Sequence, residues 1–227
     1  MARELSRLHL SRDRAIMDML SVTAGDLRKT IEFRPDHAEA YRELGAIYKS
    51  IGHYDEAAVQ YQEFIRLKPE DPDAHFALGS VYDLMNRRND AIRSYLEAIK
   101  IMPGYVEAYY RIGVNLENKG LNDQAIWVYS KAIRISPKYK DAYMSMGRVM
   151  LRKGALDEAA MAYREAIRIA PNDDDAHFGL SMVLYKQGRL LGSIHELGET
   201  LRINRGHKEA RKKMHSVMDA LAGARFH

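Results

Sequence analysis

The residues that could do chemistry are nine histidines and 31 carboxylates, in a 227-residue chain with no cysteine. The lack of cysteine removes disulfides, thiolate nucleophiles and zinc ribbons. The densest cluster is His195, Glu196 and Glu199. A zinc hydrolase built on such a helix needs a second histidine at the place of Glu199, and that ligand is missing. No Gly-rich phosphate loop and no G-x-S-x-G elbow occurs, and no carboxylate pair stands isolated in an apolar stretch. The expectation is a non-enzymatic protein with no catalytic residue, no metal and no cofactor.

The elements that must carry any site are set out by a period. Pro35, Pro69, Pro103, Pro137 and Pro171 follow one another at intervals of 34 residues, and only Pro72 falls outside the series. Gly45, Gly79, Gly113 and Gly147 keep the same phase, with Ser181 continuing it. So do Ala57, Ala91, Ala125 and Ala159, then Ser193, and Tyr61, Tyr95, Tyr129 and Tyr163 lie four residues after each alanine. Repetition at this length signals stacked supersecondary units.

Each unit reads as two helices. With Ala38 as position 1, Tyr41, Leu44, Gly45 and Tyr48 form an i, i+3, i+4, i+7 stripe, and Ala57, Ala58, Tyr61, Phe64 and Ile65 form a second. Proline ends the second helix because it has no N–H to donate and clashes with the turn before it. Asp36, Asp71, Asp73, Asn172 and Asp173 follow prolines and are expected to cap the next helix. Small residues at positions 8 and 20 let two helices cross closely.

These residues resemble the tetratricopeptide repeat family, whose pattern is aromatic at 4, Leu at 7, Gly at 8, Tyr at 11, Ala at 20, aromatic at 24, Ala at 27 and Pro at 32. Residues 38–171 match almost throughout, as in His75, Leu78, Gly79, Tyr82, Ala91, Tyr95, Ala98 and Pro103. Phe64, Ile112, Met146, Leu116 and Met150 depart from it. The resemblance implies an all-α fold, a right-handed superhelical solenoid of antiparallel helix pairs. Both ends are weaker: Thr200 and Arg205 replace alanine and proline in the last unit, and Ser11, Thr23 and Thr30 occupy small positions in the first, which keeps Leu10. Outermost repeats meet water on one side, so such fraying is expected. The expected division is a degenerate N-terminal repeat over 1–37, tandem repeats over 38–205 and a basic capping helix within 206–227.

In the family, positions 2, 5, 9 and 12 of each first helix line a concave peptide groove, and the resemblance implies the same here. Position 5 gives Arg42, Phe76, Tyr110, Met144 and Phe178; position 9 includes Ser80, Val114, Arg148 and Met182; position 12 includes Lys49, Asp83, Glu117 and Tyr185. Position 2 is an acid in every copy: Glu39, Asp73, Glu107, Asp141 and Asp175. The Lys and Asn that chaperone-tail-binding members use to hold a terminal carboxylate are absent at positions 5 and 9. The expected partner is a protein or peptide with apolar anchors and some basic residues. Two plainer readings compete with it: the acids complement helix dipoles, and the aromatics pack between neighbouring first helices. His75 and His177 fall at position 4 and read as packing residues.

Net charge is +4, yet residues 201–227 alone carry seven Lys/Arg against two acids, so the rest sums to −1. The basic tail reads as a solvated cap or as a dock for an anionic surface, with membrane headgroups a better fit than nucleic acid because only Phe226 lies nearby. Arg3, Arg7, Arg12 and Arg14 sit in no signal peptide-like run, and no stretch reaches the roughly 20 apolar residues of a spanning helix. A cytoplasmic protein, at most peripheral to a membrane, is expected. The alternative function is self-association: Met17, Met19, Leu20, Leu27, Ile31 and Phe33 are apolar in a poor register, and could dock into a neighbouring copy. Magnetosome-associated members of the family assemble in this way.

Overall fold

A computed structural model describes residues 19–223. The N-terminal arginines, Leu10, Ser11, Met17, Arg225 and Phe226 lie outside the described residues. All regular structure among the described residues is helical. A helix over residues 19–33 (α1) is followed by α2 (Ala38–Ser50), α3 (Tyr54–Leu67), α4 (Pro72–Leu84), α5 (Arg88–Ile101), α6 (Val106–Asn118), α7 (Asn122–Ile135), α8 (Lys140–Lys153), α9 (Leu156–Ile169), α10 (Asp174–Lys186), α11 (Leu190–Ile203) and α12 (Lys208–Gly223). Among the described residues, no helix is long and apolar enough to cross a membrane.

The described residues form two compact units, the first ending at Ala108 and the second beginning at Tyr109. In the first, α2 packs on α3, α3 on α4 and α4 on α5; in the second, consecutive helices from α7 to α12 pack in turn. Every first helix begins at position 1 of the 34-residue period, and the turn inside each pair places position 15 in the left-handed region: Gly52, Asn86, Gly120, Gly154 and Gly188, with φ between 58° and 83°. Glycine takes that conformation without a Cβ penalty, and asparagine is among the few side chains that tolerate it.

The small residue at position 8 makes room for a ring. A Cβ on Gly45 would stand 3.2 Å from the Tyr61 ring, one on Gly79 2.7 Å from Tyr95, and one on Gly113 2.4 Å from Tyr129. Tyr95 and Tyr129 are wholly buried, as are Ala91, Ala125 and Ala159 at position 20. Close helix crossing is thus the consequence of a tyrosine laid flat against glycine.

Capping departs from expectation at the start of α2. Asp71 and Asp173 accept backbone N–H bonds at the heads of α4 and α10. Asp36 does not cap α2; the adjacent His37 does, its Nδ1 accepting from Ala40 N at 3.3 Å. Position 0, directly before the helix, has the geometry to reach the N3 amide, and Asp36 lies one residue too early.

The apolar residues of α1 have a better register than expected. Leu20, Ala24, Leu27 and Ile31 repeat at i, i+4, i+7, i+11 and pack on Leu44, Ile47 and Tyr48 of α2. Met19 and Phe33 point elsewhere and stay exposed, Phe33 at 83%.

Candidate functional site: the first-helix faces

In the first unit, four of the expected groove residues are tied into pairs. Arg42 Nε donates to Glu39 at 2.6 Å, and Lys68 Nζ reaches the other Glu39 oxygen from across the repeat at 2.6 Å. Lys49 Nζ donates to Ser80 Oγ at 3.2 Å, linking two successive first helices. Asp83 accepts the Tyr95 hydroxyl at 2.6 Å. Phe76 is half-buried. Its ring stacks on Tyr105 at a centroid distance of 5.0 Å and leans on Tyr95 at 5.2 Å. Tyr105 in turn donates to Asp73 at 2.6 Å, and burial together with that carboxylate pushes its phenol pKa well above the usual value.

The second unit repeats the aromatic arrangement. Tyr110 meets Tyr139 edge-on at 5.4 Å and tilts over Tyr129 at 5.9 Å; Phe178 packs on His207 at 4.8 Å. A position 5 ring is therefore backed each time by position 0 of the following repeat. His37, Asp71, Tyr105, Tyr139, Asp173 and His207 hold position 0, and the period already carried this signal as an aromatic or imidazole at four of those places. Met144, whose following position 0 is Asp173, packs instead on the cluster of Ala159, Tyr163, Leu180 and Leu184. Val114 and Met182 are half-buried. Tyr185 and Phe178 lie against Leu197, Ala210 and Val217, and Lys213 of α12 covers the Tyr185 ring at 3.3 Å. Burial and nearby Lys186 lower the Lys213 pKa.

Glu117 is the electrostatic centre of this unit. Its side chain is only 7% exposed. Arg148 donates to both its oxygens, at 3.0 and 3.1 Å, Arg152 adds a bond of 2.9 Å and Tyr129 another of 2.9 Å. Burial pushes the carboxyl pKa up, but the bonds from Arg148 and Tyr129 and the charges of Arg148 and Arg152 outweigh it and hold it below the usual range. The row of acids expected along one edge is thus uneven. Glu39 and Asp73 are engaged by neighbours, whereas Asp141 and Asp175 are largely exposed.

The residues first weighed for chemistry do not converge. Glu196 accepts from the buried His177 ring, Nδ1 to Oε2 being 2.7 Å, while Nε2 of His177 faces the Pro171 carbonyl at 3.1 Å. Glu199 pairs with Arg202, and His195 is exposed. His177 joins α10 to α11, and His75 reaches the Pro69 carbonyl in the same way. Among the described residues one group, Asp174, Asp175 and His207, brings ligand-type atoms within 4.8 Å of one another. His207 Nδ1 accepts from Ala210 N, which leaves the proton on Nε2, and Asp174 accepts from Asn204. His207 is thus occupied as a helix cap and Asp174 by Asn204, whereas the Asp175 carboxylate stays exposed, 3.9 Å from His207 Nε2.

Two family models match the chain: one described as TPR repeat over residues 45–86 and 147–188, and one described as tetratricopeptide repeat over 72–105 and 106–139. The chain is a tetratricopeptide repeat protein. A comparison with curated proteins finds no match. Among solved structures, this tetratricopeptide repeat chain is similar to YrrB, titled a TPR protein with an unusual peptide-binding site, at 18% identity and a TM-score of 0.68 over 84% of this chain and 98% of that one. It is also similar to a MamA protein at 29% identity and a TM-score of 0.62, over 64% and 85% of the two chains. MamA from Desulfovibrio magneticus RS-1 gives 19% identity and 0.68 over 75% and 97%.

Proposed function

We propose that this tetratricopeptide repeat protein is a non-catalytic scaffold that holds a partner peptide or helix on the first-helix faces of its repeats. The observation that carries this reading is the backing of Phe76, Tyr110 and Phe178 by rings from the next repeat. A half-buried aromatic fixed from behind loses little conformational freedom when a ligand covers its open side, which makes it an efficient anchor point. Val114, Met144 and Met182 extend the apolar surface within the second unit, and the exposed Asp141 and Asp175 favour a partner with basic residues beside its apolar anchors. YrrB, which shares the fold, is described as a TPR protein with an unusual peptide-binding site, which supports the reading.

Peptides selected by phage display against the full chain test it. Phe76→Ala and Tyr110→Ala are each expected to weaken the selected peptides by about tenfold or more, with helicity by circular dichroism unchanged. Undiminished binding in both variants removes the first-helix faces as the site.

A further inference from the structure

In α3, α5, α9 and α11 the outer registers of the second helices follow a rule that α7 breaks. At positions 26 and 29, Glu63 pairs with Arg66, Glu97 with Lys100, Glu165 with Arg168 and Glu199 with Arg202, at 2.8 to 3.3 Å. In α7 the acid is replaced by Lys131, so Lys131 and Arg134 stand three residues apart with no carboxylate between them. Trp127, the only tryptophan of the chain, lies one turn earlier and is 59% exposed. Lys131 Nζ rests over its ring at 4.7 Å. Arg134 and Lys138 make no ion pair among the described residues, and residues 124–140 contain no acid at all. Asp123, the one acid of α7, is exposed one turn before Trp127 and pairs with Lys153.

An exposed tryptophan beside uncompensated cations is an incomplete set of interactions. The aromatic face and the lysine stem offer apolar area, and Lys131 and Arg134 offer charge-assisted donors. The patch is one helix wide. Within the same unit, α9 carries the exposed acids Asp157 and Glu158. A broad anionic bilayer would meet those acids together with the cations, whereas a single chain segment would not. We propose that the outer face of α7 docks an acidic peptide segment, its carboxylates on Lys131 and Arg134 and an apolar side chain on Trp127. This surface is separate from the first-helix faces and goes beyond the function proposed for them.

Trp127 reports on the site directly. The full chain is titrated with a capped, fluorescein-labelled peptide repeating Glu-Glu-Leu-Phe, following peptide anisotropy and, with the unlabelled peptide, tryptophan emission. A saturable rise in anisotropy with a blue shift of emission is expected, weakened about tenfold by Lys131→Glu. That substitution restores the acid–base spacing of the four other helices, so it is expected to leave helicity intact; Arg134→Gln serves as the second variant. Phe76→Ala, which tests the first-helix faces, is expected to leave this binding unchanged. Absence of saturable binding overturns the proposal, as does equal binding by wild type and both α7 variants. Equal binding of a Lys-Lys-Leu-Phe peptide also overturns it, and so does an emission shift with phosphatidylserine vesicles but not with the peptide.

Discussion

Tyr129→Ala is expected to destabilise the protein by about 3–5 kcal/mol, the range for removing a buried aromatic side chain. Tyr129 is wholly buried, lies flat against Gly113 and donates its hydroxyl to Glu117 at 2.9 Å. Truncation leaves a cavity that the flanking helices cannot close without moving the whole pair, and it withdraws one donor from a buried carboxylate. Filling the same space from the other side has the same sign. Gly113→Ala would place a Cβ 2.4 Å from the Tyr129 ring, and the overpacking, about 1–3 kcal/mol, is expected to exceed the roughly 1 kcal/mol gained in helix propensity. At Gly45 the Tyr61 ring stands 3.2 Å away, and propensity is expected to win, leaving Gly45→Ala neutral or slightly stabilising. Urea unfolding followed by circular dichroism checks all three, and Trp127 emission adds a local probe for Tyr129→Ala and Gly113→Ala, because Trp127 shares α7 with Tyr129.

The period in the sequence revealed the helix pairs because tetratricopeptide units bury the same positions each time. What it concealed depends on contacts between units. Ala74, Ala108, Ala142 and Ala176 at position 3, and Val81, Val149 and Val183 at position 10, are buried as completely as the family's signature residues. Ala74 packs with Phe64, and Val183 with Ala159 and Tyr163, of the preceding helix pair, so a stripe drawn for one pair omits them. The second helix ends in the same way with and without the proline. Asn204, followed by Arg205, has φ −126° and ψ 91°, and Ser136, followed by Pro137, has φ −128° and ψ 92°. The turn is imposed by packing of the flanking helices, and proline only favours it locally.

The candidate site was legible in outline and not in its pairing. Residue types at positions 5, 9 and 12 gave the aromatic surface. They could not show that Tyr105, Tyr139 and His207 back those rings, because each belongs to the next repeat. Nor could an acid at position 12 be told apart from a free groove carboxylate. Asp83 and Glu117 sit twelve residues before the Tyr95 and Tyr129 hydroxyls they accept, a spacing that meets only because the chain reverses between the helices.

Glu117→Gln is expected to reduce stability at pH 7 by about 1–2 kcal/mol. The charge-assisted bonds are worth more than neutral ones, but Arg148 and Arg152 are about half exposed and can turn to water, which discounts the loss. The pH dependence separates this carboxylate from the others. Because its pKa in the folded protein lies below the ordinary 4.5, the wild-type advantage is fully present above that value and disappears as pH falls through the lower, folded-state pKa. The difference between wild type and Glu117→Gln in urea midpoints is therefore expected to be constant from neutral pH down to the ordinary carboxylate range and to shrink below it. A difference unchanged down to strongly acidic pH would mean that packing, not charge, accounts for the role of Glu117. The variant also leaves Arg148 and Arg152 without their counter-charge on the first-helix face. A peptide that binds there through basic residues is expected to bind it more weakly than wild type, and salt is expected to narrow the gap. Glu117 thus links stability to the proposed recognition: the carboxylate that holds Tyr129 also offsets part of the charge that Arg148 and Arg152 place on the face proposed to meet a partner.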